Sequence, residues 1–203
     1  MGLDTVRRRQ AIEAAASELF RERGYAATSV RDIARALDIQ GASLYSHVTS
    51  KEDVLWAIVD RAASAFEAAA DDALASDGGP RVRLAALVRA HVAIVTADPE
   101  LVSVFVREWR HLSPDRRDAI LARRDAYERR VRDLIAEGVV RGELGERDPV
   151  LAAAFLLTAL NGIATWYRRA GRLDPEMIAD GYVGLAVGAL SAVVPTDDEE
   201  AAR

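Results

Sequence analysis

The stretch GASLYSHVTSKEDVL, residues 41–55, sets the hydroxyls of Ser43, Tyr45 and Ser50, the imidazole of His47 and the ammonium of Lys51 within a few residues of one another. Each of these groups can donate hydrogen bonds to anionic oxygens, and the ammonium adds a full charge. Gly41 and Ala42, just upstream, are small enough to let a partner approach the backbone closely. Binding of a polyanion suits this set better than bond chemistry, because catalytic patterns are missing. The chain has no cysteine, which excludes disulfides, cysteine-ligated zinc and a thiol nucleophile. His47, His91 and His111 are scattered without metal-ligand spacing. No G-x-S-x-G, P-loop or G-x-G-x-x-G stands in a strand–helix setting. No enzymatic activity, cofactor or metal is expected.

The elements that must hold these groups are helical. Ile12, Ala15, Ala16, Leu19 and Phe20 repeat as one buried helical face, and Gly24 is placed as its C-terminal cap. Ser29-Val30-Arg31-Asp32 is a capping box that opens a short helix over 29–37. Asp38 follows at a turn, where Asp tolerates left-handed dihedrals better than most residues. A very short helix covers 40–47, with Leu44 and Val48 facing inward. Ser50-Lys51-Glu52-Asp53 is a second capping box, opening a long helix over 50–76. No segment alternates with period two, so an all-α chain of about nine helices is expected.

Two short helices joined by a tight turn and braced by a longer first helix make a helix-turn-helix. The second short helix would enter a DNA major groove while the first lies across the backbone. At about 1.5 Å per residue, residues 40–47 span about 12 Å, which suits a groove of roughly that width. Lys51 would add charge beside the free amides of a helix N-terminus. The plainer alternative is a small helical protein with Tyr45 and His47 as ordinary surface residues. A net charge of −5 speaks against a nucleic-acid partner, yet residues 1–50 carry one net positive charge and include Arg7, Arg8 and Arg9.

The stretch ELFRERGYAATSVRDIARALDIQGASLYSHVTSKEDVL resembles the DNA-binding domain of the tetracycline-repressor (TetR) family of bacterial regulators. The match runs over residues 6–66 and rests on Gly24-Tyr25, Thr28-Ser29, Ile33-Ala34, Leu44-Tyr45, His47 and Ser50-Lys51-Glu52. The resemblance implies a DNA-binding domain over 6–66 with its helix-turn-helix at 29–48, and a ligand-binding and dimerisation domain over 67–195. It implies phosphate contacts by Ser29, Ser43, Tyr45, His47 and Lys51, and base-edge or groove contacts by Arg31, Gln40, Gly41 and Ala42. Many members have Gly in place of Asp38, Ser in place of Gln40, Phe in place of Val48 and a larger residue in place of Ser46. Gln caps a helix less well than Ser. These departures leave the operator sequence open.

The remainder reads as helices over 80–97, 99–112, 115–141, 150–170 and 175–194, separated by Ser76-Asp77-Gly78-Gly79-Pro80, Ser113-Pro114 and the Gly142, Gly145, Pro149 region. Alternating Arg and Asp/Glu in 115–141 fit a solvated face with i,i+4 pairs. The last two helices are apolar nearly all round. Ala154, Thr158 and Gly162 form a four-spaced stripe of small residues, matched by Gly184, Gly188 and Ala192. Such stripes fit a tight monomer core or a four-helix homodimer interface, the arrangement the resemblance implies. The acidic tail, 196–203, is expected to be disordered. The longest apolar runs, 151–166 and 182–194, fall short of the roughly 20 residues of a membrane span, and a soluble cytoplasmic protein is expected.

The stretches REWRHLSPDRRDAILARRDAYERRVRDLIAEGVVRGEL and NGIATWYRRAGRL further resemble regulators of fatty-acid, aromatic or sterol catabolism whose effectors are acyl-CoA thioesters. On that resemblance Arg107 and Arg110 could face phosphates while Phe105, Trp109, Tyr127 and Trp166 line an acyl channel. The alternative makes the aromatics ordinary core and the arginines ordinary surface. His91, among Val88, Val92 and Val95, is either a satisfied core histidine or a ligand contact. The expected function is a ligand-responsive repressor released from an inverted-repeat DNA operator by a small apolar effector. The competing reading is a helical interaction protein that kept the fold and lost operator binding.

Overall fold

The computed structural model describes residues 2–191, apart from the side chains of residues 2–5 and Ala42. Ala192 and the tail 196–203 therefore lie outside the described residues. Among those described there are nine α-helices, one 3₁₀ turn and no strand. The head consists of α1 (Gly2–Arg23), α2 (Val30–Ala36) and α3 (Gly41–Tyr45). The body consists of α4 (Lys51–Ala75), α5 (Pro80–Ala97), α6 (Pro99–Arg107), the 3₁₀ turn Trp109–His111, α7 (Pro114–Val140), α8 (Pro149–Trp166) and α9 (Pro175–Ser191).

The head is built by its caps. Gly24 takes φ +82° and its N–H donates to the Phe20 carbonyl, closing α1. Ser29 and Asp32 complete the reciprocal capping box of α2. Asp38 takes φ +52°, the N–H of Ile39 reaches the Ala34 carbonyl and that of Asp38 reaches Arg35. This is a Schellman closure, and it sets the tight turn between α2 and α3. Ile12, Ala16, Phe20, Ile33, Ala34 and Leu44 bury beneath that turn. Gln40 caps α3 with no side-chain hydrogen bond, in keeping with its weakness at that position.

Three elements differ in length from the expectation. The helix over 40–47 regularises only from Gly41 to Tyr45. The helix over 99–112 breaks at Glu108, and a 3₁₀ turn then places Leu112 in the core. The helix over 150–170 stops at Trp166, where Tyr167 turns extended and buries. Long α4 crosses the 66/67 boundary without interruption, so head and body share it. Its buried residues, from Val54 to Ala73, belong to one continuous core with those of α5, α7 and α8.

Candidate functional site

The short helix α3 presents an open face. Leu44 and Val48 are buried as its spacing requires, while Gln40, Ser43 and Tyr45 are exposed and His47 is half-buried. A Cβ added at Gly41 would meet nothing within 4 Å, so the backbone there is open to close approach. Arg31 of α2 joins Gln40 and Gly41 around one shallow hollow at the turn. The side chain of Ala42 lies outside the described residues. Ser29 is exposed, but its hydroxyl is engaged with Asp32.

Lys51 departs from the expected role. Its ammonium donates to the carbonyl oxygens of Tyr25 and Thr28, each at 2.8 Å, and lies 4.1 Å from the centroid of the Tyr25 ring. Burial lowers its pKa from the ordinary lysine value. It ties α4 to the loop between α1 and α2, and that internal work competes with a DNA phosphate for its protons.

The head joins the body through the same loop. Tyr25 packs against Phe20 and stacks on His111, with centroids 5.2 and 5.1 Å apart. Its N–H donates to Glu108 at 3.3 Å. At the start of α4, Glu52 accepts from the Ser113 N–H at 3.0 Å, and Asp53 accepts from Arg116 at 2.6 Å.

From there an ion-pair ladder runs up α4 and α7. Arg116 meets Glu52 and Asp53, Arg123 meets Asp60 and Glu67, and Arg130 meets Asp71. The partners rise together in number, so the two helices run parallel. The arginines are spaced by seven residues, as are Asp53, Asp60 and Glu67, which keeps one seam in register along both helices. Of the charges expected to be solvated, Arg116, Arg123 and Arg130 form this seam, while Asp118, Asp125, Arg129 and Asp133 are exposed as expected.

A cavity of about 240 Å³ lies between α4, α5, α7 and α8. Phe66, His91, Phe105, Tyr127 and Leu157 line it, with Arg123, Arg124, Glu67 and Glu128 among its charged residues. His91 is 2% exposed and its Nδ1 lies 3.1 Å from the Tyr127 hydroxyl. Desolvation pushes its pKa down to about 4, so the ring is neutral. Arg124 donates to the Phe105 carbonyl at 3.2 Å and lies over the Phe105 and Trp109 rings. Burial, then the nearby Arg110 charge, hold its pKa below the usual guanidinium value.

Of the expected ligand set, His91, Phe105 and Tyr127 line the cavity. Arg107, Trp109, Arg110 and Trp166 do not. Arg107 lies two residues beyond Phe105 on α6, which turns it to the opposite, exposed face, and the helix break at Glu108 takes Trp109 and Arg110 off the face that carries Phe105. Both arginines stay exposed, with Arg110 stacked on Trp109 at 4.6 Å. Trp166 is 43% exposed at the end of α8. The charged residues at the cavity are Arg123 and Arg124 of α7, passed over because their segment reads as surface.

The small-residue stripes are open. Ala154, Thr158, Gly184 and Gly188 are exposed, and a Cβ added at Gly162, Gly184 or Gly188 would meet nothing within 4 Å among the described residues. Beside them stand large apolar residues that a lone chain leaves in water: Leu151, Phe155 and Leu185. Ala154 and Thr158 also line the cavity, which therefore reaches the surface strip of α8.

A turn-closed pair of short helices with an exposed second helix, joined by one continuous helix to an all-α body holding a cavity, defines a helix-turn-helix transcriptional regulator. Residues 12–58 match the family described as bacterial regulatory proteins, tetR family, and residues 77–190 match the tetracyclin repressor-like C-terminal domain. The chain belongs to the tetracycline-repressor family. It is 30% identical over 188 residues to the HTH-type transcriptional repressor KstR2 of Rhodococcus jostii, covering 92% of each chain. The solved structure of the ketosteroid transcriptional regulator KstR2 of Mycobacterium tuberculosis is similar at TM-score 0.86 and 27% identity, covering 91% of this chain and 95% of that one. The structure of AibR in complex with isovaleryl coenzyme A and operator DNA is similar at TM-score 0.77 and 31% identity, covering 88% of this chain and 97% of that one.

Proposed function

We propose that the protein is a homodimeric repressor that binds an inverted-repeat operator and is released when an acyl-CoA thioester enters the cavity. The observation that carries this reading is the continuity of α4. It begins beneath the helix-turn-helix at Lys51 and lines the cavity with Ala63, Phe66 and Glu67. A ligand that favours one setting of α4 thereby biases the placement of the head. Residues 6–66 act as the reading head and residues 67–195 as the ligand and dimer body, with α4 common to both. The likeness to AibR, whose solved complex holds isovaleryl coenzyme A and operator DNA, supports the effector class.

Arg31, Gln40, Gly41 and Ala42 are proposed to meet base edges, and Ser29, Ser43, Tyr45 and His47 to meet phosphates. At about 240 Å³ the cavity suits an acyl group and is too small for the much bulkier coenzyme A. The nucleotide therefore stays outside, and Arg124 replaces Arg107 and Arg110 as the proposed anion contact. The protein acts in the cytoplasm, where its DNA lies.

The test is fluorescence anisotropy on labelled DNA from upstream of the gene. Binding should be tight, confined to a palindromic segment and steeply weakened by salt. Acyl-CoAs should then raise the dissociation constant on the order of a hundredfold, about 2.7 kcal/mol of coupling, while matching free acids act only at higher concentration. Release by free acids but not by thioesters would remove the effector class and leave the repressor. Binding indifferent to sequence and salt would remove the repressor.

A further inference from the structure

The cavity contains a polar atom that the fold leaves without a partner. His91 Nε2 is buried and makes no hydrogen bond, although buried polar groups are paired in nearly all folded proteins. The ring cannot turn away to find one. Its Nδ1 is held by the Tyr127 hydroxyl at 3.1 Å, and its face packs on Phe66 at a centroid distance of 4.5 Å. Asn161, on the cavity wall, interacts with the ring without giving Nε2 a well-aligned hydrogen bond. A neutral imidazole with one nitrogen engaged offers one donor or one acceptor at the other. A carbonyl oxygen matches the donor form, and a hydroxyl matches either. A purely apolar ligand would seal Nε2 away from water still unpaired, and its affinity would suffer for that.

Arg124 marks a second polar position. Unlike Arg123, it meets no carboxylate at salt-bridge distance among the described residues, and it is only half-buried. His91 is fully enclosed, so it belongs to the interior of the cavity and Arg124 to its more exposed side.

We propose that the effector's acyl group carries a hydroxyl or keto oxygen in its buried part, which pairs with His91 Nε2 beside Asn161, while its anionic end faces Arg124. This rests on the acyl-thioester reading above and narrows it from acyl groups in general to oxygenated ones. The thioester carbonyl does not fill the same role. It sits next to coenzyme A, which cannot enter, and is therefore held on the exposed side of the cavity.

The experiment titrates the full-length protein with acyl-CoAs of matched carbon number: the saturated compound, and isomers bearing a hydroxyl or ketone at successive chain positions. The best oxygenated isomer should bind the wild type ~10-fold or more tightly than the saturated compound. In His91→Phe that ratio should fall to about one or invert, while both ligands still bind. Asn161→Leu, on the cavity wall, should reduce the ratio in the same direction and serves if the His91 variant does not fold. Equal or tighter binding of the saturated compound by the wild type overturns the inference and leaves the thioester reading standing. So does a preference that survives both substitutions. If no thioester binds, the effector class itself is wrong and this inference falls with it.

Discussion

The ammonium of Lys51 and the ring and carbonyl of Tyr25 form one unit: Nζ lies 2.8 Å from the Tyr25 oxygen and 4.1 Å from the ring centroid. Tyr25 in turn stacks on His111 and donates its N–H to Glu108 in the body. The start of α4, the α1–α2 loop and the 3₁₀ turn therefore meet at a single side chain. If α4 shifts at the cavity, this junction is where its N-terminal end would act on the head.

Lys51→Met tests that arrangement. Loss of charge-assisted hydrogen bonds at a half-buried site should destabilise the protein by about 1–2 kcal/mol. Melting temperature should fall by about 2–4 °C per kcal/mol for a chain of this size. Operator affinity should drop with it, but the dependence on salt should stay nearly that of the wild type. A phosphate contact predicts the reverse, a stable protein whose salt slope flattens by about one unit. Thermal melts and salt titrations on the same two proteins separate the two.

Acid should loosen the junction. The Ser113 N–H, then Arg116, hold the Glu52 carboxyl below its usual pKa of 4.5; Arg116, then Ser50, do the same for Asp53 below 3.8. Groups depressed in the folded state contribute stability that is present above their ordinary values and lost as pH falls through the folded ones. Glu52→Gln combined with Asp53→Asn should therefore melt below the wild type at neutral pH. The gap should close once the wild-type carboxylates are protonated. A gap unchanged in acid would show that the contacts are not ionic.

His91 acts at a higher pH. Its folded pKa of about 4 lies below the ordinary 6.5, so the unfolded chain takes up a proton that the folded chain refuses. Stability is full above the unfolded value and falls as pH drops from 6.5 towards 4, by about 3 kcal/mol in all. His91→Phe should flatten denaturant-derived stability between those values and leave the carboxylate-driven loss below them. A variant whose stability follows the wild type throughout would mean that His91 titrates normally and is not enclosed as described.

Much of the head was legible because its signals are local. The Ser29–Asp32 box, the Gly24 stop, the Asp38 turn and the inward pair Leu44 and Val48 each depend on residues within a few positions of one another, and the structure has all of them. The cavity was legible only for His91, Phe105 and Tyr127, whose apolar neighbours mark a buried face. Arg123 and Arg124 were not, because a charged helix reads as solvated until its partner helix is known. One signal was available: the seven-residue spacing of Arg116, Arg123 and Arg130 repeats in Asp53, Asp60 and Glu67, which an ordinary i,i+4 surface has no reason to do. Lys51 misled for a related reason, since its two carbonyl acceptors are 26 and 23 residues away.

Gly188→Trp addresses the dimer. A Cβ at Gly188 would meet nothing within 4 Å in its own chain, so a side chain can leave the backbone there without a clash at its first atom. The position borders an apolar groove with Val82, Val183 and Val187. Leu185, nearby on α9, is 71% exposed, and α8 carries Leu151 at 70% and Phe155 at 63%. Exposed apolar surface on this scale marks an interaction face. If a second copy covers it, a bulky ring at the contact of α9 should cost association about 1–3 kcal/mol or more by overpacking. Sedimentation velocity should then show the variant shifting towards monomer at concentrations where the wild type is dimeric, with circular dichroism and helix content unchanged. Operator affinity should collapse towards the non-specific level, because an inverted repeat is read by two heads held at a fixed spacing. A wild type that sediments as a monomer, or a variant dimer as tight as the wild type, would place the interface elsewhere on the body.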